Sequence, residues 1–102
     1  IQTEFIYSST LDKDNTLRAQ DKVLDICKLL NAIKYINAIG GADLYSKESF
    51  ANNGIQLSFL ESKILPYKQL NSEFVPYLSI LDILMFNSQE RVKTMLDNYK
   101  LL

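Results

Sequence analysis

Residues 74–87 read Phe-Val-Pro-Tyr-Leu-Ser-Ile-Leu-Asp-Ile-Leu-Met-Phe-Asn, which places one carboxylate, Asp82, inside the most apolar stretch of the chain. A buried, unpaired charge is costly, so Asp82 has to meet a partner or look onto a polar face. Pro76 marks the start of a helix, because proline suits a first turn. On such a helix Ser79 and Asp82, three apart, share one face. Leu78, Ile80, Leu81, Ile83, Leu84 and Met85 occupy nearly every other direction. The spacing predicts a helix buried over most of its circumference, with one narrow polar stripe turned to solvent, a cleft or a polar partner.

A chain of 102 residues can bury one modest core, and residues 1–102 read as a single domain. Its hydrophobic share of 47% and charged share of 23% are those of a globular protein. The 11 basic and 12 acidic residues are spread along the sequence and leave a net charge of -1. Without a basic block to neutralise phosphates, a nucleic-acid partner is not expected. No apolar run reaches the ~20 residues of a membrane span.

A single cysteine, Cys27, rules out an internal disulfide and fits a reducing, cytoplasmic setting. The sequence has no histidine, which removes Ser-His and Cys-His nucleophilic pairs and the common zinc ligand sets. Asp12, Asp14 and Asp21 lack the tight, glycine-bent spacing of a cation loop, so no metal site is expected.

Glu4-Phe5-Ile6-Tyr7 reads as a buried strand ended by Ser8-Ser9. Val23, Leu24, Cys27 and Leu30 recur at helical spacing, with Thr16 as cap and Asn31 as stop. Lys34-Tyr35-Ile36-Asn37 is a short strand punctuated by Gly40-Gly41. A short helix follows, capped by Ser46 and left through Gly54. Ile55, Leu57 and Phe59 alternate with Gln56 and Ser58, the cleanest strand pattern present. Residues 61–73 read as a loop containing Pro66. Asn87 with Glu90 resembles a capping box opening a last helix whose apolar face is Val92, Met95, Leu96 and Tyr99. The fold class is therefore α/β, a small parallel or mixed three-stranded sheet with helices packed on it.

Three segments together resemble the WbqC-like protein family. They are Tyr35-Ile36-Asn37-Ala38-Ile39-Gly40-Gly41, continuing to Leu44-Tyr45, Phe50 and Gly54-Ile55; Tyr67-Lys68-Gln69-Leu70; and the Phe74 to Leu84 run around Asp82. Ser8-Ser9 with Leu11, and Ile26-Cys27-Lys28, fit the same order. Relatives are roughly twice as long, so the resemblance implies a C-terminal half whose aromatic and proline-rich opening segment is elsewhere. It implies a role in bacterial surface polysaccharide (O-antigen) biosynthesis, with transfer of glycine or another small acyl or aminoacyl group to a sugar. A nucleotide-linked sugar or an activated amino acid would be the ligand, and no cofactor is specified. The chain departs from the family where Asn87-Ser88 replaces a glycine common after this helix.

Two readings of Asp82 stand side by side. It ties loops to the helix by accepting hydrogen bonds from backbone amides or an arginine, or it serves as a general base or a ligand for a substrate amine, with Ser79 beside it. Ser8 and Ser9 lie beyond an expected strand end, where α/β folds gather ligands, or they form a turn. Gly40 and Gly41 allow close approach to a ligand or a plain turn, and Asn37 bonds a sugar or that turn. Tyr67 and Gln69 sit on a loop and suit stacking on, and bonding to, a sugar. Cys27 is a packed core thiol. The competing function is a non-catalytic module that docks a missing N-terminal half or a twin subunit, since an incomplete sheet leaves open edges for a homo-oligomer.

Overall fold

The structure, a computed structural model, describes residues 1–70 and 73–102. The helices are α1 (Ala19–Leu29), α2 (Lys47–Asn52), α3 (Ile80–Phe86) and α4 (Gln89–Leu96); the strands are β1 (Lys34–Ala38), β2 (Gln56–Ser62) and β3 (Tyr99–Leu101). The strands form one mixed sheet of order β1-β2-β3. β1 and β2 are its parallel pair. β2 and β3 are antiparallel, with Leu60 opposite Leu101 and Ser62 opposite Tyr99. The α/β class and the mixed three-stranded sheet agree with the sequence reading, although the third strand is a different one. The chain divides into two compact units, Ile1–Phe59 and Leu60–Leu102.

The first unit holds a packed core of Leu24, Cys27, Phe50, Ile55, Leu57 and Phe59, edged by Val23, Ala32, Tyr35 and Tyr45. Two helix ends shape it. After α1, Asn31 adopts a left-handed φ of 52°. Its N–H donates to Lys28 and that of Ala32 to Cys27, which satisfies the last carbonyls. After α2, Gly54 does the same at φ 73°, and the Ile55 N–H donates to Phe50. Ser46 caps α2, its hydroxyl accepting from the Ser49 N–H at 3.2 Å. Both helices thus end where the sequence marks them. The second turn delivers the chain into β2, whose Leu57 and Phe59 alternate inward.

Several expectations are overturned. Residues 1–7 form no strand and are exposed throughout. Their aromatic and β-branched character suits a sheet, but a strand exists only through its ladder, and the third place is taken by β3. Tyr99 therefore belongs to β3, not to the apolar face of α4, on which Val92 is buried and Leu96 is exposed. The cap of α1 is Arg18, without a side-chain bond. Thr16 instead donates its hydroxyl and its N–H to Asp14. α4 is capped by Ser88, which accepts from the Arg91 N–H at 3.3 Å, so the Asn87-Glu90 box does not form. Asn87 closes α3 instead, donating to the Ile83 carbonyl at 2.9 Å. The expected 61–73 loop loses its first two residues to β2, and residues 71 and 72 lie outside the described ones.

α3 departs most from expectation. It begins at Ile80 with Ser79 as its cap, not at Pro76, and none of its residues is buried. Asp82, Ile83 and Phe86 are half-buried, whereas Ile80, Leu81, Leu84 and Met85 are exposed. The apolar sequence therefore makes a helix whose Ile80, Leu81, Leu84 and Met85 are left exposed.

Candidate functional site

The second unit gathers three of the side chains singled out from sequence. The Tyr67 hydroxyl and the Gln69 amide both donate to Asp82 Oδ2, the amide at 2.9 Å. Among the described residues no donor meets Oδ1. Asp82 thus has the partner that its apolar surroundings demand, but the partners are a phenol and an amide, not backbone N–H groups or an arginine. It occupies the third position of α3, where a carboxylate also complements the helix dipole.

The two donors lie two residues apart on the segment that follows β2, and both address Asp82. Gln69 is fixed at its other end by the backbone of Val75, where Nε2 donates to the Val75 carbonyl at 3.0 Å and Oε1 accepts the Val75 N–H at 2.9 Å. The amide side chain here copies a strand neighbour. Phe74 meets the Tyr67 ring edge-on, centroids 5.0 Å apart. The chain then passes through Tyr77, held at a left-handed φ of 60°, into Ser79. The hydrogen bond to the Asp82 carboxylate pushes the Tyr67 phenol above its ordinary range, and desolvation adds to it. Arg91 of α4 reaches the same loop, donating to the Pro66 carbonyl at 3.4 Å.

Ser79 sits three residues before Asp82 but spends its hydroxyl on the helix, accepting from the Leu81 N–H at 3.2 Å. Val75 and Phe74 were not singled out from sequence as part of this cluster. Their part depends on the Gln69 side chain reaching the Val75 backbone, and single residues carry no signal of that.

The remaining sequence candidates lie in the first unit. Ser8 and Ser9 form part of a short 3-10 turn, exposed, with Ser8 O accepting from the Leu11 N–H. Asn37 is in β1, its Oδ1 accepting from the Ala38 N–H at 2.8 Å. Gly40 and Gly41 form the turn after β1. Gly40 has open space around it, whereas Gly41 is buried, and a Cβ there would stand 2.8 Å from Asn37 Nδ2 and 3.2 Å from the Tyr45 ring. Asn37 and Gly41 therefore pack on each other. Cys27 is buried in the core and burial pushes its thiol up, which suits packing and not nucleophilic work.

Among the described residues no group of three or more histidine, cysteine, aspartate or glutamate side chains could hold a metal ion. Nor is any described helix long and apolar enough to cross a membrane. No curated protein and no solved structure matches the chain. The family model described as the WbqC-like protein family matches residues 1–94, which include the whole Tyr67, Gln69 and Asp82 cluster, and the chain belongs to that family.

Proposed function

We propose that this chain serves bacterial surface polysaccharide biosynthesis, O-antigen included, by transferring glycine or another small acyl or aminoacyl group to a sugar. The observation that carries the reading is the Asp82 carboxylate, held through Oδ2 by Tyr67 and Gln69, with no donor to Oδ1 among the described residues. Two donors on Oδ2 fix the plane of the carboxylate. Oδ1 is then a directed acceptor for an amine or hydroxyl, the group an acyl transfer must orient and deprotonate. In that reaction the sugar amine or hydroxyl attacks the acyl carbon of an activated donor and its proton passes to Asp82. The bond to the donor's leaving group breaks, and that group takes the proton away. Tyr67 supplies a ring face for the sugar. Membership of the WbqC-like protein family supports a part in polysaccharide biosynthesis, and the reading takes its substrate class from that resemblance.

A non-catalytic docking module is the competing reading. It is favoured by the same bonds seen as a tie between loop and helix, with Gln69 also anchored to Val75.

Titration of the protein with a panel of nucleotide-linked sugars and amino acids, followed by chemical-shift changes, separates the two. The transferase reading expects one ligand class to perturb residues around Asp82. Asp82→Asn should weaken that ligand at least tenfold, about 1.4 kcal/mol, whereas Y67F, which loses the same tie but keeps the carboxylate, should weaken it less. No perturbation by any member of the panel leaves the docking module as the better account.

A further inference from the structure

We infer that Tyr77 is the ring on which the acceptor sugar stacks at the Asp82 site. The inference rests on the transferase reading above and adds to it a residue that selects for a sugar.

Tyr77 has a φ of 60°, and its side chain is 87% exposed. The two observations conflict if the fold is all that the residue serves. In the left-handed region the Cβ of a bulky residue crowds the backbone, which costs free energy. Glycine or asparagine makes the same turn at less cost. A packed ring would offset the cost by burial, but this one is left in water. Among the described residues two other non-glycine residues have positive φ, Ala19 and Asn31. Ala19 has no side chain beyond Cβ, and the amide of Asn31 suits this backbone. Leu70 and Met85 are as exposed as Tyr77, but neither has a positive φ. Tyr77 alone joins a strained backbone to a large open side chain. A cost that the fold does not recover marks a residue held for something outside the fold.

The chain is tied to Asp82 on both sides of Tyr77. Two residues before it, the Val75 N–H donates to Gln69 Oε1, and the Val75 carbonyl accepts from Gln69 Nε2, which also donates to Asp82 Oδ2. Two residues after it, the Ser79 carbonyl accepts from the Asp82 N–H at 2.9 Å. Two residues of chain span no more than about 7 Å between Cα atoms, so Tyr77 is kept near the carboxylate from either end. Tyr67 is half-buried, bonded through its hydroxyl to Asp82 and met edge-on by Phe74, which leaves its ring a small platform by itself. The open ring of Tyr77 supplies a second.

The chemistry points to the sugar of a nucleotide-linked sugar. An aromatic face is apolar and carries the negative side of the ring quadrupole, so it suits the C–H face of a pyranose. Residues 74–82 contain no lysine or arginine to hold a diphosphate. A sugar stacked on Tyr77 brings its amine or hydroxyl toward Asp82 Oδ1.

Ligand-observed proton spectra of the full chain with the panel of nucleotide-linked sugars test this. For the member that perturbs residues around Asp82, the ring current of Tyr77 should move the sugar C–H protons upfield on binding. Y77N suits the left-handed turn without a ring. It should weaken that ligand about fivefold, abolish the upfield shift and melt no lower than the wild type. Y77F keeps the ring and should retain both the affinity and the shift. Equal affinity of Y77N and the wild type, with residues around Asp82 still perturbed, overturns the inference and leaves the transferase reading standing. So does an upfield shift confined to the nucleobase, or a Y77N that melts lower, because Tyr77 is then held for the fold. No perturbation by any panel member ends both readings.

Discussion

The Tyr67 hydroxyl donates to Asp82 Oδ2, and that same oxygen receives the amide of Gln69. One carboxylate oxygen therefore joins a loop of fifteen residues' separation to the first turn of α3. The bond needs a neutral phenol and a charged carboxylate, which gives it a pH signature.

Folding raises the phenol of Tyr67 above its ordinary value of 10.0. A raised folded value means that the stability from this bond is complete below the unfolded value near 10 and is lost as pH climbs through the folded one. Y67F should lower the urea midpoint at neutral pH. It should also flatten the loss of stability that the wild type shows on the alkaline side. Tyr35, raised by burial, contributes in the same direction in both proteins, so the comparison isolates Tyr67. Equal alkaline slopes would mean that the bond contributes nothing in solution.

Gln69 makes three bonds, one to Asp82 and two to Val75. The Val75 N–H has the Gln69 side chain as its acceptor, so its exchange with solvent reports on that side chain alone. Q69A should speed Val75 amide exchange about tenfold, the loss of roughly 1.4 kcal/mol of local protection. Amides of α1 should exchange as before. If Val75 exchanges at the same rate in both proteins, the paired amide geometry is not what holds this loop.

Gly41 is buried against Asn37 and Tyr45, with a Cβ position 2.8 Å from the Asn37 amide nitrogen. G41A forces Asn37 away from the Ala38 N–H that it accepts. The nearest atom is the free end of the Asn37 side chain, which can give way, so the cost lies at the low end for overpacking, about 1 kcal/mol. Urea denaturation should show that loss, and N37A placed in the G41A background should recover part of it. A double variant no better than G41A would place the clash on the Tyr45 ring instead.

Much of the first unit was legible because its signals are local. Ser46, Asn31 and Gly54 act on their own backbone, and Ile55, Leu57 and Phe59 announce an inward face by alternation. What could not be read depended on which segment pairs with which. Residues 4–7 have better strand chemistry than Tyr99-Lys100-Leu101, yet the latter form β3 because the antiparallel ladder to Leu60 and Ser62 is within reach. The 74–87 run misled for a related reason. Apolar periodicity predicts that a face will be covered, but not by what, so exposed Leu81 and Met85 read as core. At the candidate site, Asp82 demanded a partner on energetic grounds, and Tyr67 with Gln69 were singled out only as loop residues. Their convergence on one oxygen is tertiary.

Phe50 is the fully buried side chain at the centre of the first unit. Its ring stacks on Tyr35 at a centroid distance of 5.6 Å and meets Tyr45 edge-on at 6.2 Å, and those two rings also touch each other edge-on. The triad links α2 to β1 and to the turn holding Gly41. F50A removes both aromatic contacts and leaves a cavity that neighbouring rings cannot fill, at a cost of about 3–5 kcal/mol. F50L keeps most of the volume without the stacking and should cost less, about 1–2 kcal/mol. Thermal melts of the two variants should rank in that order below the wild type. Equal melting temperatures for F50A and F50L would assign the loss to the aromatic contacts and not to the cavity.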